Sequence, residues 1–302
     1  MSRHKWLIIA LSVAVLTSQG VFYQYQAGAW GKGEIALIRL SGSIAESAQF
    51  ELLNTPGISP SRVGSLLEKA AAENNVKAVV LRIDSPGGAV AASQEIAAMI
   101  RQFVKPVVVS MGDVAASGGY YISVYADRIV ANPGTTTGSI GVITQVIHIE
   151  GLLEKLGLNM ETIKSGRLKG MGLSELSEEE YQILQTMCDE MYEEFIQAVA
   201  EGRRLDPHYV RQLATGQAYT GAQALKLGLV DELGGLQVAI KAAAKLAGLR
   251  QPVVKEYKET PPLWRQAADF FFHPESPPQP QLSNDQLLFL RVLEGWQAMP
   301  CY

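Results

Sequence analysis

A serine set among alanines and glycines is the position in this sequence best suited to chemistry. Ser117 lies in the stretch Ala-Ala-Ser-Gly-Gly, directly after a predicted buried strand and near the predicted start of a helix. Its small neighbours let a substrate carbonyl approach closely, and a helix N-terminus presents unpaired amide N–H groups. The pattern suits a nucleophile beside half of an oxyanion hole. Close packing of a helix on a strand explains the same small residues equally simply.

A pair of glycines follows the neighbouring predicted strand. Gly87 and Gly88 come directly after Ser85 and Pro86. Two glycines there can present amide N–H groups to an anion, at the edge where open α/β sheets bind their ligands. An ordinary strand–helix turn is the alternative. A nucleotide site is excluded, because the sequence has neither a Walker loop nor a complete dinucleotide fingerprint.

A nucleophilic serine requires a base, and the four histidines of the chain are poor candidates. His4 lies in the N-terminal segment, His208 begins a surface helix and His273 belongs to a proline-rich tail. His148 follows an apolar stretch and is the one credible histidine, although a partly buried structural role fits it better. A serine–histidine–acid triad is therefore poorly supported.

Lysine is the remaining type of base. It acts only when neutral, so desolvation or nearby positive charge must lower its pKa. Lys169 lies on a glycine-rich loop, residues 165–172, that is poor in acidic residues. Lys164 is the rival, at a predicted strand position that also fits a solvated face, and Arg167 cannot deprotonate. Residue type alone does not separate a catalytic lysine from surface charge.

Alternating strands and helices surround these residues. Strands are predicted at 34–40, 78–84, 106–110, 127–131, 160–164 and 253–257. Helices are predicted at 60–70, 89–103, 115–125, 151–156, 177–201, 223–227 and 236–246, with one more after Asp206. Ser59 before a proline, and the capping box of Ser177 and Glu180, mark two of the helix starts. The alternation predicts an α/β fold with a mainly parallel sheet flanked by helices.

The composition excludes several classes of protein. The 302 residues carry a net charge of −4 with 47% hydrophobic and 19% charged residues, which rules out disorder for most of the chain. A pI of about 5.7 gives no basic field for nucleic acid. Two cysteines, Cys188 and Cys301, cannot make a disulfide framework or a thiolate metal cluster, and four histidines make an imidazole-rich metal site improbable.

The first thirty residues have the pattern of a targeting segment. A basic cluster at residues 3–5 precedes a strongly apolar stretch at 6–22, which Tyr23 and Tyr25 would extend as interfacial aromatic residues. A spanning helix needs about 20 residues, so the segment fits a single-pass signal anchor. The small residues at 27–29 leave a cleaved signal peptide as the alternative. Either outcome predicts that the globular part is exported.

Four ordered segments together resemble the bacterial signal peptide peptidase A family, of the protease IV type. This family is a serine–lysine relative of the Clp protease and crotonase fold. The segments are 83–88, 115–120, 137–142 and 163–169. The residue pair 202–203 and the stretch 230–234 also match the family. The resemblance covers about residues 34–257. Together the four segments favour the catalytic interpretation that each alone left open.

The resemblance implies a role for each candidate residue. Ser117 would be the nucleophile and Lys169 the general base, with Ser139 holding the lysine in place. The backbone N–H groups of Gly88 and Gly118 would form the oxyanion hole. The Clp relatives use a histidine near the place where this chain has Val142, so the lysine mechanism is the one expected here.

The resemblance also implies an activity and an architecture. We expect an endopeptidase, residues 33–258, that cleaves apolar peptides such as signal peptides and needs no cofactor, metal or nucleotide. A transmembrane anchor at residues 1–30 would hold it on the extracytoplasmic side of the bacterial cell membrane. Short members of the family assemble into homo-oligomeric rings whose neighbouring subunits complete each site. Residues 259–302 match no motif and are predicted to be a proline-rich linker with a short helix, and the loop at 170–173 lacks the family's acid and proline.

Two other functions fit the same fold. A crotonase-like acyl-CoA enzyme would use the same glycine amides to hold a thioester enolate, although export argues against intracellular CoA chemistry. A non-catalytic membrane assembly protein is the second alternative. Activity that depends on both Ser117 and Lys169 would distinguish the peptidase from both.

Overall fold

A central sheet organises the part of the chain that the computed structural model describes, which comprises residue 31 and residues 33–46, 57–148, 150–158, 161–172 and 175–258. The strands are β1 (Glu34–Ser41), β2 (Val76–Ser85), β3 (Val107–Ala116), β4 (Arg128–Ala131), β5 (Thr136–Gly138), β6 (Ala218–Thr220), β7 (Glu232–Leu233) and β8 (Val253–Tyr257). Their order is β6-β5-β3-β2-β1-β8, and β4 pairs with both β3 and β7. All pairings are parallel except that of β5 with β6. The predicted α/β fold with a mainly parallel sheet is confirmed.

The same residues form eight helices, most of which pack on the sheet. They are α1 (Pro60–Ala72), α2 (Val90–Arg101), α3 (Gly118–Tyr121), α4 (Glu150–Lys155), α5 (Glu178–Arg203), α6 (Pro207–Leu213), α7 (Gly221–Lys226) and α8 (Leu236–Leu246). Three predicted start signals are confirmed, because the side chains of Ser59, Ser177 and Asp206 each accept a hydrogen bond from the first turn. No helix within the described ranges is long and apolar enough to span a bilayer. The predicted anchor at 1–30 and the tail at 259–302 lie outside those ranges.

Both faces of the sheet are covered, which explains why its central strands are continuously apolar. Val79 and Leu81 face the larger core, which includes side chains of α1, α2 and α5. Val80 faces the smaller core, where Ala239 and Ala243 of α8 pack on the sheet. Successive side chains of a strand point to opposite faces, so a strand buried on both sides has no polar positions in its centre.

The structure corrects the prediction around the candidate serine. The strand predicted at 106–110 continues to Ala116, and the helix predicted at 115–125 is reduced to the short α3. Past the predicted strand end at residue 110, the strand accommodates Gly112 in a bulge whose backbone groups are satisfied by side chains. The strand predicted at 160–164 is a loop over its described residues, 161–164, and β5, β6 and β7 were too short to be predicted.

The C-terminal end of α1 depends on one lysine from the loop before β3. The Lys105 Nζ donates hydrogen bonds to the carbonyls of Ala70, Ala71 and Glu73 at 2.8–2.9 Å. These carbonyls have no partner within the helix, so a cation there satisfies them and complements the helix dipole.

We expect Lys105→Met to lower the free energy of unfolding by about 1–2 kcal/mol, because helix-end carbonyls lose a charged donor. Urea denaturation of the purified protein measures the change. Lys77→Met is the matched control, since Lys77 is an exposed lysine on β2 near Lys105 that makes no hydrogen bond in the described part of the chain. Equal midpoints for the two variants would show that the three hydrogen bonds do not stabilise α1.

Candidate active site

The candidate residues collect at the carboxyl edge of the sheet. Gly88 follows β2, Ser117 follows β3 and Ser139 follows β5. Because these parallel strands lie side by side, their carboxyl ends deliver the three loops to one place. Together with Gly118 they line a cavity of about 590 Å³. The structure therefore brings together four of the five residues that the sequence singled out.

Ser117 occupies a sharp turn between β3 and α3. Its backbone has φ 51° and ψ −122°, a region that residues other than glycine rarely adopt. The turn is held by hydrogen bonds from the Ser117 N–H to the Gly138 carbonyl (2.8 Å) and from the Tyr121 N–H to the Ser117 carbonyl (2.9 Å). Among the described residues the Ser117 Oγ has no hydrogen-bond partner. A half-buried serine on a strained strand–turn–helix connection at the edge of a sheet has the geometry of a nucleophile elbow.

The loop after β2 presents a free N–H group at Gly88. Ile44 bridges the loop by donating its N–H to the Gly87 carbonyl (2.9 Å) and accepting from the Ala89 N–H (2.8 Å). These two bonds flank Gly88, so its own N–H is directed away from Ile44 and donates to no acceptor in the described chain. A Cβ at Gly88 would lie 2.0 Å from the Ile44 carbonyl oxygen, and its φ is 157°. Only glycine fits at this close approach.

The N–H of Gly118 is the second free donor. Gly118 is the first residue of α3, so its N–H has no partner within the helix. A Cβ at Gly87 would lie 2.7 Å from the Gly118 nitrogen, and a Cβ at Gly118 would lie 3.2 Å from the Gly88 nitrogen. The two loops are therefore in contact beside Ser117. Two unpaired N–H groups in that position can stabilise an oxyanion that forms when Ser117 attacks a carbonyl.

Ser139 shares a positive φ with Ser117. Three residues other than glycine have positive φ in the described ranges, and two of them are Ser117 (51°) and Ser139 (52°), both at this cavity. The Ser139 N–H donates to the Gln217 carbonyl at 2.9 Å, which fixes the turn, while its Oγ makes no hydrogen bond with described residues. Strained residues concentrate at functional sites. The Ser139 hydroxyl is thus available to orient another polar group.

Beyond the serines the cavity wall is mostly apolar. Its larger apolar side chains are Val90, Tyr121, Val142, Ile143, Met191, Tyr192 and Phe195. The Tyr121 and Phe195 rings pack edge to face with centroids 5.0 Å apart, and burial raises the pKa of Tyr121 to about 12. This wall can take an apolar side chain next to the nucleophile.

Sequence reasoning did not find Ser93, which also lines the cavity. Ser93 lies in the first turn of α2, is 3% exposed, and donates its Oγ–H to the Ala89 carbonyl at 2.9 Å. A Cβ at Gly118 would lie 2.6 Å from the Ser93 Oγ. No motif marks this serine, because its place in the wall depends on how α2 packs beside α3.

Lys169 is the one predicted site residue that does not line the cavity in a single chain. It is exposed on the loop 161–172, where its N–H donates to the Gly166 carbonyl at 3.1 Å. Arg167 on this loop pairs with Glu179 at the start of α5. The alternative bases, Lys164 and His148, are also exposed and are not part of the cavity wall.

Comparison with known proteins gives two family matches. Residues 99–250 match peptidase family S49, and residues 60–134 match the Clp protease family. The first match spans half of the chain and includes Ser117, Ser139 and Lys169. The second includes the loop of Gly88 and agrees with a Clp-like α/β fold.

Individual relatives are consistent with these families. A Synechocystis protein named as a protease is 43% identical over 221 residues, which are 72% of this chain and 75% of the relative. An Enterococcus faecium protein named as a signal peptide peptidase is 39% identical over 230 residues, covering 74% of this chain and 67% of the relative. Protease 4 of Salmonella typhi is 38% identical over 76% of this chain, a match that spans 37% of that longer protein.

Proposed function

The chain belongs to peptidase family S49 and is a serine protease, and we propose that it is a membrane-anchored endopeptidase that cleaves apolar peptides with a Ser117–Lys169 dyad. The observation that carries the proposal is the geometry around Ser117. A serine on a strained turn faces an apolar cavity beside two N–H groups that have no acceptor in the described chain. Such a site suits attack on a peptide carbonyl.

The mechanism follows from this arrangement. Neutral Lys169 takes the proton of Ser117 as the Oγ attacks the carbonyl carbon, and the N–H groups of Gly88 and Gly118 stabilise the tetrahedral oxyanion. One such donor is worth about 3 kcal/mol. The protonated Lys169 donates this proton to the leaving amine as the peptide bond breaks, and so becomes neutral again. Water then attacks the acyl-enzyme with Lys169 again as the base, and Ser139 orients the lysine by a hydrogen bond.

We infer that Lys169 reaches the serine of a neighbouring copy in a homo-oligomeric ring. A general base must come within hydrogen-bond reach of the proton that it accepts, and within one chain Lys169 is exposed. Apolar side chains are exposed on the same loop and on the segment before α4: Ile163 is 95% exposed, Ile147 is 79% exposed, and Ile143, which also lines the cavity, is 81% exposed. Apolar surface of this kind marks protein or membrane contact. Contact between copies would bury it and bring the lysine out of water.

The substrate class and location rest on two further supports. The apolar cavity wall suits hydrophobic peptides, and one relative is named as a signal peptide peptidase. Residues 1–30 have the pattern of a signal anchor, so we propose that the catalytic domain, residues 33–258, lies on the extracytoplasmic side of a bacterial membrane. Cleaved signal peptides left in that membrane would then be available as substrates.

The test of substrate class is a series of fluorogenic peptides that differ in the residue before the scissile bond. We expect leucine or alanine at that position to give a kcat/KM at least about 10-fold above aspartate or lysine, because an apolar pocket leaves a charge without partners. Equal turnover of the charged peptides would contradict the proposed pocket.

The nucleophile is identified separately with an acylating peptide inhibitor of the preferred sequence. Tandem mass spectrometry of the inhibited protein is expected to find the adduct on Ser117. Ser93 lines the same cavity and serves as an internal control, since its hydroxyl already donates to the Ala89 carbonyl. An adduct on any other residue would refute the assignment of Ser117.

A further inference from the structure

A bulge in β3 lies directly upstream of Ser117. In the pairing of β2 with β3, Ile83 is opposite Met111, whereas Ser85 is opposite Ala115. Two steps along β2 therefore correspond to four along β3. A bulge of this kind leaves backbone groups without ladder partners and re-aims the residues that follow it. Ser117 comes two residues after the pairing resumes.

Two side chains of β2 satisfy the backbone groups that the bulge releases. The Arg82 Nη1 donates to the Met111 carbonyl at 2.6 Å, and the Asp84 Oδ1 accepts from the Val114 N–H at 3.0 Å. Arg82 and Asp84 are two residues apart, so they share one face of the strand. A Cβ at Gly112 would lie 2.8 Å from the Asp84 Oδ1. Glycine at that position is what lets the carboxylate approach the bulge.

A third side chain contacts the bulge from the opposite side. The buried Thr135 donates its Oγ1–H to the Gly112 carbonyl at 2.8 Å. At the bulge the outer edge of β3 changes its partner: Ser110 pairs with β4, whereas Ala115 pairs with β5. The bulge therefore sets the position of the end of β3, which leads directly to Ser117, and of β5, which leads to Ser139.

We propose that Arg82, Asp84 and Thr135 are positioning residues that clamp this bulge and so hold the Ser117 hydroxyl in its reactive place. The proposal rests on the assignment of Ser117 as the nucleophile. A slip of one residue in the strand would turn every later side chain to the other face of the sheet. Smaller shifts also matter, because a displacement of about 1 Å at a reacting group can cost about 100-fold in rate.

The direct test compares Asp84→Ala with Asp84→Asn in the assembled protein. Alanine removes the acceptor of the Val114 N–H, and we expect kcat to fall about 10- to 100-fold with KM changed less than about 3-fold. Asparagine keeps an Oδ1 acceptor, so we expect its kcat to stay within about 3-fold of the wild type. Asp113→Ala is the matched control, since that exposed carboxylate in the bulge itself makes no hydrogen bond in the described part of the chain. Asp84→Asn as impaired as Asp84→Ala, or Asp84→Ala fully active, would overturn the proposal.

Hydrogen–deuterium exchange measures whether the bulge is held in place, independently of activity. We expect faster exchange at the Val114 amide in Asp84→Ala and no change in Asp84→Asn. Unchanged exchange in Asp84→Ala would overturn the clamp while leaving Ser117 as the nucleophile. Conversely, Ser117→Ala with full activity would refute the proposed function whatever the exchange shows, so the two failures are distinguishable.

A second pair of variants covers the case in which Asp84→Ala does not fold. At nearly constant volume, Thr135→Val removes the donor to the Gly112 carbonyl and the acceptor of the Asn132 N–H, and Thr135→Ser restores a hydroxyl for both. We expect a fall in kcat for valine, unchanged KM, and recovery for serine. Equal kcat for the two variants would overturn the role of Thr135, and with it the proposal that the bulge is clamped from both sides.

Discussion

Ser117→Ala is expected to reduce peptide hydrolysis by the assembled protein at least about 1,000-fold, because the acyl-enzyme forms on the Ser117 Oγ that this variant lacks. The Gly88 and Gly118 amides remain, so a small residual rate over water is compatible with the prediction. The assay is turnover of a fluorogenic apolar peptide under conditions that saturate the wild type. A variant with wild-type kcat would remove Ser117 from the mechanism.

The backbone of Ser117 supplies a control that separates loss of chemistry from loss of fold. At φ 51° and ψ −122° an alanine is strained, as the serine is, whereas glycine adopts such angles easily. We therefore expect Ser117→Gly to be as inactive as Ser117→Ala but more stable than it by about 1 kcal/mol. Thermal unfolding of both variants measures this. If the more stable Ser117→Gly were also the more active of the two variants, Ser117 would contribute to activity only by stabilising the fold.

The meeting of Ser117 with Gly88 could be predicted from the sequence, for a simple reason. The strands before them are continuously apolar, which predicts neighbouring parallel strands, and the carboxyl ends of parallel strands share one edge. The structure places both residues at that edge and in one cavity. The residue types and the strand pattern together were enough for this part of the site.

The details of the turns could not be predicted, because they depend on contacts between segments distant in the chain. The strand predicted to end at residue 110 continues through Gly112, and nothing near Gly112 in the sequence shows that Arg82 and Asp84 contact the bulge from β2. The positive φ of Ser139 is likewise fixed by a hydrogen bond to Gln217, which lies far along the chain.

The structure of one chain does not place a base beside Ser117 among the described residues. His148 was kept as an alternative base, but it is exposed and does not line the cavity. Lys169 is exposed as well. A site shared between copies of a chain has no signature in the spacing of residues along one chain, so its completion must be tested in the assembly.

Lys169→Ala is expected to lose hydrolysis to a degree similar to Ser117→Ala, since an unassisted serine hydroxyl is a weak nucleophile at neutral pH. Lys164→Ala is the matched control, because Lys164 is an exposed lysine on the same loop. We expect this control to keep activity within about 3-fold of the wild type. Loss of activity in Lys164→Ala, with turnover preserved in Lys169→Ala, would transfer the role of the base to Lys164.

Mixing the two inactive variants decides which chain supplies the lysine. If Lys169 acts on the serine of a neighbouring subunit, a ring formed from equal amounts of Ser117→Ala and Lys169→Ala contains sites with both intact groups. Such a site takes its serine from a Lys169→Ala chain and its lysine from an adjacent Ser117→Ala chain. Each has a probability of about one half, so random assembly restores about a quarter of the wild-type sites. If the serine and the lysine of a site come from one chain, no site is restored. Native mass spectrometry confirms that mixed rings have formed. Mixed rings without activity would refute the shared site, because about a quarter of their sites would then have both groups intact.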